Sequence, residues 1–263
     1  MFKPKKSLGQ NFLIDKNILK KIIKHSEIQG NNVIEIGPGS GNLTNEIITQ
    51  YPKSLTLIEK DKNLFIKLKN ELGNKINVNI FNKDILDIDL EELIEPETII
   101  IGNLPYNISS QILASLIKFK KWPPNYKRLI LMFQKEVAER IIAKMGSIKY
   151  GRISLLTSSR LSIKNSFDVS PNCFYPKPKV NSSVLVMEPI INNKCQLKNI
   201  ENLEKISHKF FSKKRKKINK VFKELFKNPL EVAKKLQINL DLRPSHLSDI
   251  EYFKIAKYFE DCI

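Results

Sequence analysis

The chain has 263 residues, 41% of them hydrophobic, enough apolar material for one large α/β domain and a smaller companion. Its 45 Lys and Arg against 27 Asp and Glu leave a formal charge of +18, which points to a polyanion rather than an acidic protein as partner. Three cysteines (Cys173, Cys195, Cys262) without a C-x-x-C pair argue against a disulfide framework and a zinc site, His25, His208 and His246 lack ligand spacing, and no apolar run reaches the ~18 residues of a membrane span. No apolar stretch follows Lys3, Lys5 and Lys6 as in a secretory signal, so a cytoplasmic protein with no metal and no membrane partner is expected.

In chain order, Asp15 caps a helix whose Ile18, Leu19, Ile22 and Ile23 recur at helical spacing, and Gly30 with Asn31 stops it. An alternation of β and α then begins. Val33 to Ile36 reads as a buried strand, Gly37 to Gly41 as the turn after it, and Leu43 to Thr49 as a helix. Ser54 to Ile58 is a strand closed by Glu59; Asp61 caps a helix through Leu72; Ile76 to Phe81 is a strand closed by Asp84. Thr98 to Ile101 and Lys127 to Phe133 continue the series. The pattern predicts a mostly parallel sheet covered on both faces.

Gly151 to Arg160 suits either a strand or a helix, and the helix is the preferred reading. Ser162 to Val169 and Ser183 to Met187 are strand-like with no helix between them, which suits an antiparallel pair at the sheet's end. Pro189 to Lys198 reads as a linker, and helices are expected over Ile200 to Phe211, Lys213 to Phe226, Leu230 to Leu236 and Ser248 to Phe259. The last opens on a Ser-x-x-Glu capping box. Residues 1–190 would then be the catalytic α/β domain and 191–263 a helical domain. From Lys198 onward 16 Lys and Arg face 9 Asp and Glu, making the tail about twice as positive per residue as the rest.

Glu35-Ile36-Gly37-Pro38-Gly39-Ser40-Gly41 after a strand, with Glu59 ending the next, suits either a dinucleotide or S-adenosylmethionine, since both need close backbone approach and an acid on ribose hydroxyls. Three details favour the second. The spacing is G-x-G-x-G, Pro38 removes an amide that a pyrophosphate would use, and Glu35, Glu59 and Asp84 would repel a pyrophosphate but suit a sulfonium. By position Gly37 and Gly39 make room for the cofactor, Glu59 accepts from the ribose diol and Asp84 from the adenine amine. Both acids also suit plain helix caps. Asn103-Leu104-Pro105-Tyr106 ends a strand at the same edge, where open α/β sheets bind ligands. An amide beside an aromatic face matches how a nucleobase taken out of its stack is held.

Taken together, Gly9-Gln10-Asn11-Phe12-Leu13, Glu35 to Gly41, Asn103 to Ile108, Phe133 to Val137, Phe174 to Val180 and Lys213 to Asn219 resemble the ribosomal RNA adenine N6,N6-dimethyltransferases of the small subunit. The resemblance runs in order from Ser7 to about Ser248. It implies a seven-stranded class I methyltransferase sheet with a helical C-terminal domain, and dimethylation of two adjacent adenosines in a hairpin near the 3′ end of small-subunit rRNA. It implies cofactor contacts by Asn11, Leu13, Gly37, Glu59, Asp84 and Asn103, and a monomer acting on an assembling subunit. Asn103 and the Leu104 carbonyl would accept from the adenine amine, Pro105 would fix the turn, and Tyr106 would stack on the base with Phe174 a candidate for the opposite face. Tyr106 and Phe174 are also compatible with ordinary packing. Lys213, Lys214, Arg215, Lys216, Lys217 and Lys220 read as an rRNA phosphate surface or as a solvated helix face, with Lys5 and Lys6 in a similar role on an N-terminal arm. A relative acting on large-subunit rRNA or DNA, a non-catalytic assembly factor and a dehydrogenase are the competing readings.

Overall fold

A strand covered on both sides by helices has no solvent face, so it reads as a continuous apolar run rather than an alternating one. Thus all five residues of Asn32–Ile36 are buried, Glu35 among them. The computed structural model describes residues 4–5, 9–75, 77–192 and 197–262. The elements of the first part are β1 (Phe12–Leu13), α1 (Lys16–Lys24), β2 (Asn32–Ile36), α2 (Asn42–Ile48), β3 (Ser54–Ile58), α3 (Lys62–Leu72), β4 (Val78–Phe81), α4 (Leu90–Leu93), β5 (Thr98–Asn103) and α5 (Ser109–Ile117). They are followed by β6 (Tyr126–Gln134), α6 (Lys135–Ile141), α7 (Arg152–Arg160), β7 (Leu161–Val169), β8 (Phe174–Tyr175) and β9 (Ser182–Pro189). The expected start of the third strand at Ile76 lies outside the described residues.

Seven strands form one sheet in the order β4-β3-β2-β5-β6-β9-β7. The pairs β4–β3, β3–β2, β2–β5 and β5–β6 are parallel and β9 is antiparallel to β6. The two last strands therefore end the sheet as expected, but β9 inserts beside β6 and leaves β7 at the edge. Apolar residues of α1, α2 and α3 (Leu19, Ile22, Leu43, Ile47, Leu68) close on Val33, Leu55, Leu57, Ile99 and Ile101 from the strands. Asp15 and Asp61 cap α1 and α3 through their carboxylates, as their positions predict. The sequence reading missed a second, two-stranded sheet that pairs β1 with β8, Leu13 opposite Phe174.

The chain divides into two compact units. The first holds residues 1–119, 123–138 and 163–189; the second holds 120–122, 139–162 and 190–263. This departs from a single cut after residue 190, because α7 packs on the helical tail and takes residues 139–162 with it. The tail contributes α8 (Glu201–Ser212), α9 (Asn219–Leu225), α10 (Pro229–Leu236) and α11 (Asp249–Asp261). Phe210 is the hub of their core, edge-on to Phe222 at 6.0 Å and to Tyr252 at 5.4 Å. The Ser248 capping box forms, with Glu251 Oε2 accepting from the Ser248 amide at 2.7 Å.

One expected helix is broken. Lys213 to Phe226 does not run as a single helix: residues 213–217 form a turn and α9 begins at Asn219. The buried Ile218 donates its amide to the Leu242 carbonyl at 3.0 Å, where helix continuation would direct it to Lys214. Five adjacent cations add mutual repulsion that a helical turn would concentrate.

Candidate active site

The parallel register sets the carboxyl ends of β2, β3, β4 and β5 level: Ile36 pairs with Ile58 and Gly102, and Ile58 with Phe81. Strand order reverses direction between β2 and β5, the switch point at which such sheets open a crevice. A cleft with about 1180 Å³ of empty space lies there, entirely within the first unit. Gly37, Gly39, Glu59, Asp84, Asn11, Leu13 and Asn103 to Tyr106 all line it.

The glycine turn is held by backbone bonds, Gly37 N–H to Ile58 O at 3.0 Å and Gly41 N–H to Pro38 O at 2.9 Å. Gly37 and Gly39 both sit at positive φ (+69° and +57°), and a Cβ on Gly39 would stand 2.9 Å from the Phe12 ring. Phe12 of β1 thus lies directly on the turn. Glu59 is 6% exposed; one carboxylate oxygen accepts from the Gly39 amide at 3.0 Å and the other from Asp61 at 2.8 Å. Each oxygen keeps lone-pair capacity for a hydroxyl donor. Burial raises the Glu59 pKa against the lowering effect of those amide bonds.

Asp84 accepts from the Leu86 amide at 3.1 Å, capping a short 3₁₀ turn, and pairs with Lys60 at 2.5 Å. Burial pushes its pKa up, but Lys60 and the Leu86 amide outweigh that and hold it below the usual carboxylate range. Lys60 also lines the cleft and was not picked out from sequence. Glu35 faces away from solvent, takes the Thr44 hydroxyl at 2.6 Å, and burial pushes its pKa up to about 8.

At the end of β5 the Asn103 side chain donates through Nδ2 to the Asn11 carbonyl at 2.8 Å. That bond fixes the amide's orientation, since only the NH₂ end can face a carbonyl. Its Oδ1 is left as an acceptor, and no hydrogen bond among the described residues falls on the Leu104 carbonyl. The turn beyond Pro105 is closed by Ile108 N–H to Pro105 O at 3.1 Å. The Tyr106 hydroxyl meets Ser182 Oγ at 2.7 Å, and burial raises the phenol's pKa, so the ring stays neutral. Ser182 carries no sequence signal of its own; only the insertion of β9 beside β6 brings it here.

The N-terminal segment is tied down around Asp61. Gln10 Nε2 and Lys5 Nζ both reach its Oδ2, at 3.0 and 2.9 Å, while Oδ1 caps α3. Burial raises the Asp61 pKa, but these donors outweigh it and bring the carboxyl below its ordinary value. Lys5, expected on an RNA-facing arm, is therefore the ion-pair partner of the Asp61 cap of α3, while Lys6 lies outside the described residues. Asn42 Nδ2 donates to the Leu13 carbonyl at 2.8 Å and anchors β1 above the glycine turn.

Phe174 is not brought to the cleft. It is 3% exposed and packs in the core opposite Leu13, so it has no free face for a base in this structure. Its neighbour Tyr175 is the exposed aromatic. In the second unit the basic run also differs from expectation. Lys213 pairs with Glu224, Lys217 with Asp241 at 2.7 Å, and Lys214 donates to the carbonyls of Ile148 and Tyr150 at 2.5 and 2.9 Å. Arg215, Lys216 and Lys220 are exposed, with no ion pair among the described residues.

The residues present fit S-adenosylmethionine: carboxylate acceptors past two strand ends, Glu59 buried and Asp84 half-buried, a glycine turn with room against the backbone at Gly37, and an apolar floor from Leu13, Leu64 and Ile85. A family model described as Ribosomal RNA adenine dimethylase matches residues 1–261. The chain is 45% identical to ribosomal RNA small subunit methyltransferase A of Pelagibacter ubique over 98% of both chains. It is 39% identical to the protein of that name from a Wolbachia of Drosophila simulans, over all of this chain and 96% of the other. Among solved structures, a dimethyladenosine transferase from Plasmodium falciparum matches with a TM-score of 0.81 and 25% identity, covering 95% of this chain and 98% of that one. A 23S rRNA methyltransferase, ErmE, shares the fold with a TM-score of 0.71 at 20% identity, covering 95% of this chain and 99% of that one. The chain belongs to the ribosomal RNA adenine dimethylase family, methyltransferases that use S-adenosylmethionine to dimethylate adenine in ribosomal RNA.

Proposed function

We propose that this protein dimethylates N6 of two adjacent adenosines in a hairpin near the 3′ end of small-subunit rRNA, acting as a cytoplasmic monomer on an assembling subunit. The observation that carries the chemistry is the bond from Asn103 Nδ2 to the Asn11 carbonyl, which leaves Asn103 Oδ1 as the acceptor at the strand end. An adenine amine is a weak nucleophile because its lone pair is delocalised into the ring. Asn103 Oδ1 and the Leu104 carbonyl take its two N–H bonds, so the nitrogen rehybridises and its lone pair becomes available. Pro105 holds both acceptors in one turn, and Tyr106, tied to Ser182, offers its ring face to the base, a contact worth about 1 to 3 kcal/mol.

S-adenosylmethionine, when bound, supplies an electrophilic methyl group on a sulfonium. Gly37 and Gly39 give it backbone room, Glu59 would accept from the ribose, Asp84 from the adenine amine, and Asn11, just before β1, and Leu13, within it, would close over it. The neutral Tyr106 ring also favours a nearby cation by about 0.5 to 2 kcal/mol. The proton shed by the alkylated nitrogen is acidic enough to leave to water. The contribution of the chain is thus positioning and electrostatics without a covalent intermediate. In the second unit Arg215, Lys216 and Lys220 are the cations best placed to meet phosphates.

Primer extension on small-subunit rRNA, with and without the protein, tests this reading. Two adjacent stops near the 3′ end that require the protein are expected. Labelled methyl groups appearing only in large subunits or in DNA would overturn the target assignment.

A further inference from the structure

The loop between α6 and α7, residues 142–151, carries an arrangement that the catalytic chemistry does not use. Ile148 is 92% exposed and Met145 52%, and Ile142 is exposed beside them. Such side chains are ordinary on a floppy tip, where they shield one another. This tip is pinned instead. Lys214 Nζ donates to the carbonyls of Ile148 and Tyr150, the Gly146 amide donates to the Ser245 carbonyl at 2.8 Å, and the Tyr150 hydroxyl bonds Asp249 at 2.5 Å. Further bonds within the loop run from the Ser147 amide to Lys144 and from the Tyr150 amide to Ser147, each 3.1 Å. The half-buried Lys214 thus commits its cation to two carbonyls and holds an apolar apex in water.

The surroundings say what the apex meets. Lys214 belongs to the basic turn, so the brace joins that turn to the loop, and both lie in the second unit. Residues 142–149 and 213–217 together contain seven Lys and Arg and no Asp or Glu. Lys149, Lys213 and Lys217 are neutralised by Glu139, Glu224 and Asp241, which leaves Lys144, Arg215 and Lys216 exposed around the apolar tip. Cations framing a rigid aliphatic tip match a nucleic acid, whose phosphates flank base faces that are apolar where they are unstacked. A protein partner of ordinary charge would want acidic residues here as well.

We propose that Ile148 and Met145 form a wedge that seats in a groove or between bases of the rRNA substrate, while Lys144, Arg215 and Lys216 bind the adjoining phosphates. The proposal rests on the rRNA reading above and adds a second, apolar point of recognition on residues of the second unit that do not line the catalytic cleft. The wedge acts on docking, so its loss raises KM for the subunit and leaves kcat within about twofold. Ile148→Ala should raise KM about tenfold, the effect of losing one buried aliphatic side chain. Because Ile148 is exposed, this variant keeps its thermal unfolding temperature.

The test uses unmethylated small subunits and the full chain. Steady-state methylation by wild type and Ile148→Ala gives KM and kcat, and Ile148→Cys carrying a tethered iron chelate cuts any RNA near the tip. The wild-type chain treated alike supplies the background from Cys173, Cys195 and Cys262. Discrete rRNA cuts from position 148 together with the KM rise are expected. With wild type active, an unchanged KM, or cuts no different from background, overturns the wedge alone. Labelling of a ribosomal protein by a photo-crosslinker at position 148, without RNA labelling, assigns the tip to a protein and also overturns it. A wild-type chain that leaves the subunits unmethylated removes the functional reading, and the wedge with it.

Discussion

The glycine turn at residues 35–41 and the basic run at 213–217 are equally conspicuous in the sequence, yet the fold treats them differently. The turn works mostly through backbone: Gly37 N–H to Ile58 O and Gly41 N–H to Pro38 O need only glycines and the neighbouring strand, and a single side chain, Glu59 at the end of that strand, takes the Gly39 N–H. The basic run works through long side chains whose fate depends on distant residues. Glu224 and Asp241 take up Lys213 and Lys217, and the carbonyls of Ile148 and Tyr150 take up Lys214. Only Arg215 and Lys216 of the five remain exposed without an ion pair among the described residues. A backbone motif can be read locally, whereas a charge run states a capacity that tertiary partners then ration.

The sharpest way to break this comparison is at the cleft. Asn103→Ala should lower single-turnover methyl transfer by about 10²- to 10³-fold, the scale of losing one preorganised polar contact at a reacting group, with unfolding temperature and subunit affinity close to wild type. Near-normal turnover would mean that the acceptor lies elsewhere. The basic turn predicts a smaller and unequal effect. Replacing Arg215 and Lys216 by alanine should cost about tenfold in rRNA affinity at physiological salt and flatten the log–log salt slope by ~1.4 to 1.8, two phosphate contacts' worth. Replacing Lys213 and Lys217 instead should change the slope less; equal slopes would show that the ion pairs open on binding.

A stability measurement extends the contrast to buried charge. Glu35 keeps its proton in the fold up to about 8, while the unfolded chain ionises it above its ordinary value of about 4.5. Between these values the native state binds more protons than the unfolded one, so this group makes stability fall as pH rises, and the loss is complete above about pH 8. Glu35→Gln keeps an oxygen for the Thr44 hydroxyl and should flatten that part of the profile in urea unfolding at pH 5 and pH 8. A profile parallel to wild type would place the proton elsewhere. The smallest expected effect is at Ser182. Ser182→Ala and Tyr106→Phe each remove one hydrogen bond of about 1 kcal/mol, a severalfold change in kcat/KM, and the double variant should be no worse than either alone. Additive losses would separate the two hydroxyls.

Much of the architecture was legible because its causes are local. Continuous apolar runs announced buried strands, Asp15, Asp61 and Ser248 announced helix starts, and Glu59, Asp84 and Asn103 stood at strand ends, which a parallel sheet must bring to one edge. The capture of Asp61 by Lys5 and Gln10 was not legible, since residues about fifty apart share no local pattern. Ser182 was invisible for the same reason, as β9 reaches the site only by inserting beside β6. Phe174 misled because its Pro-rich setting reads as a surface loop, while pairing of β8 with β1 buries the ring.

The sequence by itself determined the parallel sheet, the glycine turn with its two acids, and the Asn-Leu-Pro-Tyr turn, all set by backbone geometry and short-range patterning. Only the tertiary structure decided which cations stay exposed, which way the Asn103 amide faces and where the second unit begins. Those depend on side chains meeting across long stretches of chain, and the free energy of such a meeting belongs to the pair and to its burial, not to either residue's local sequence.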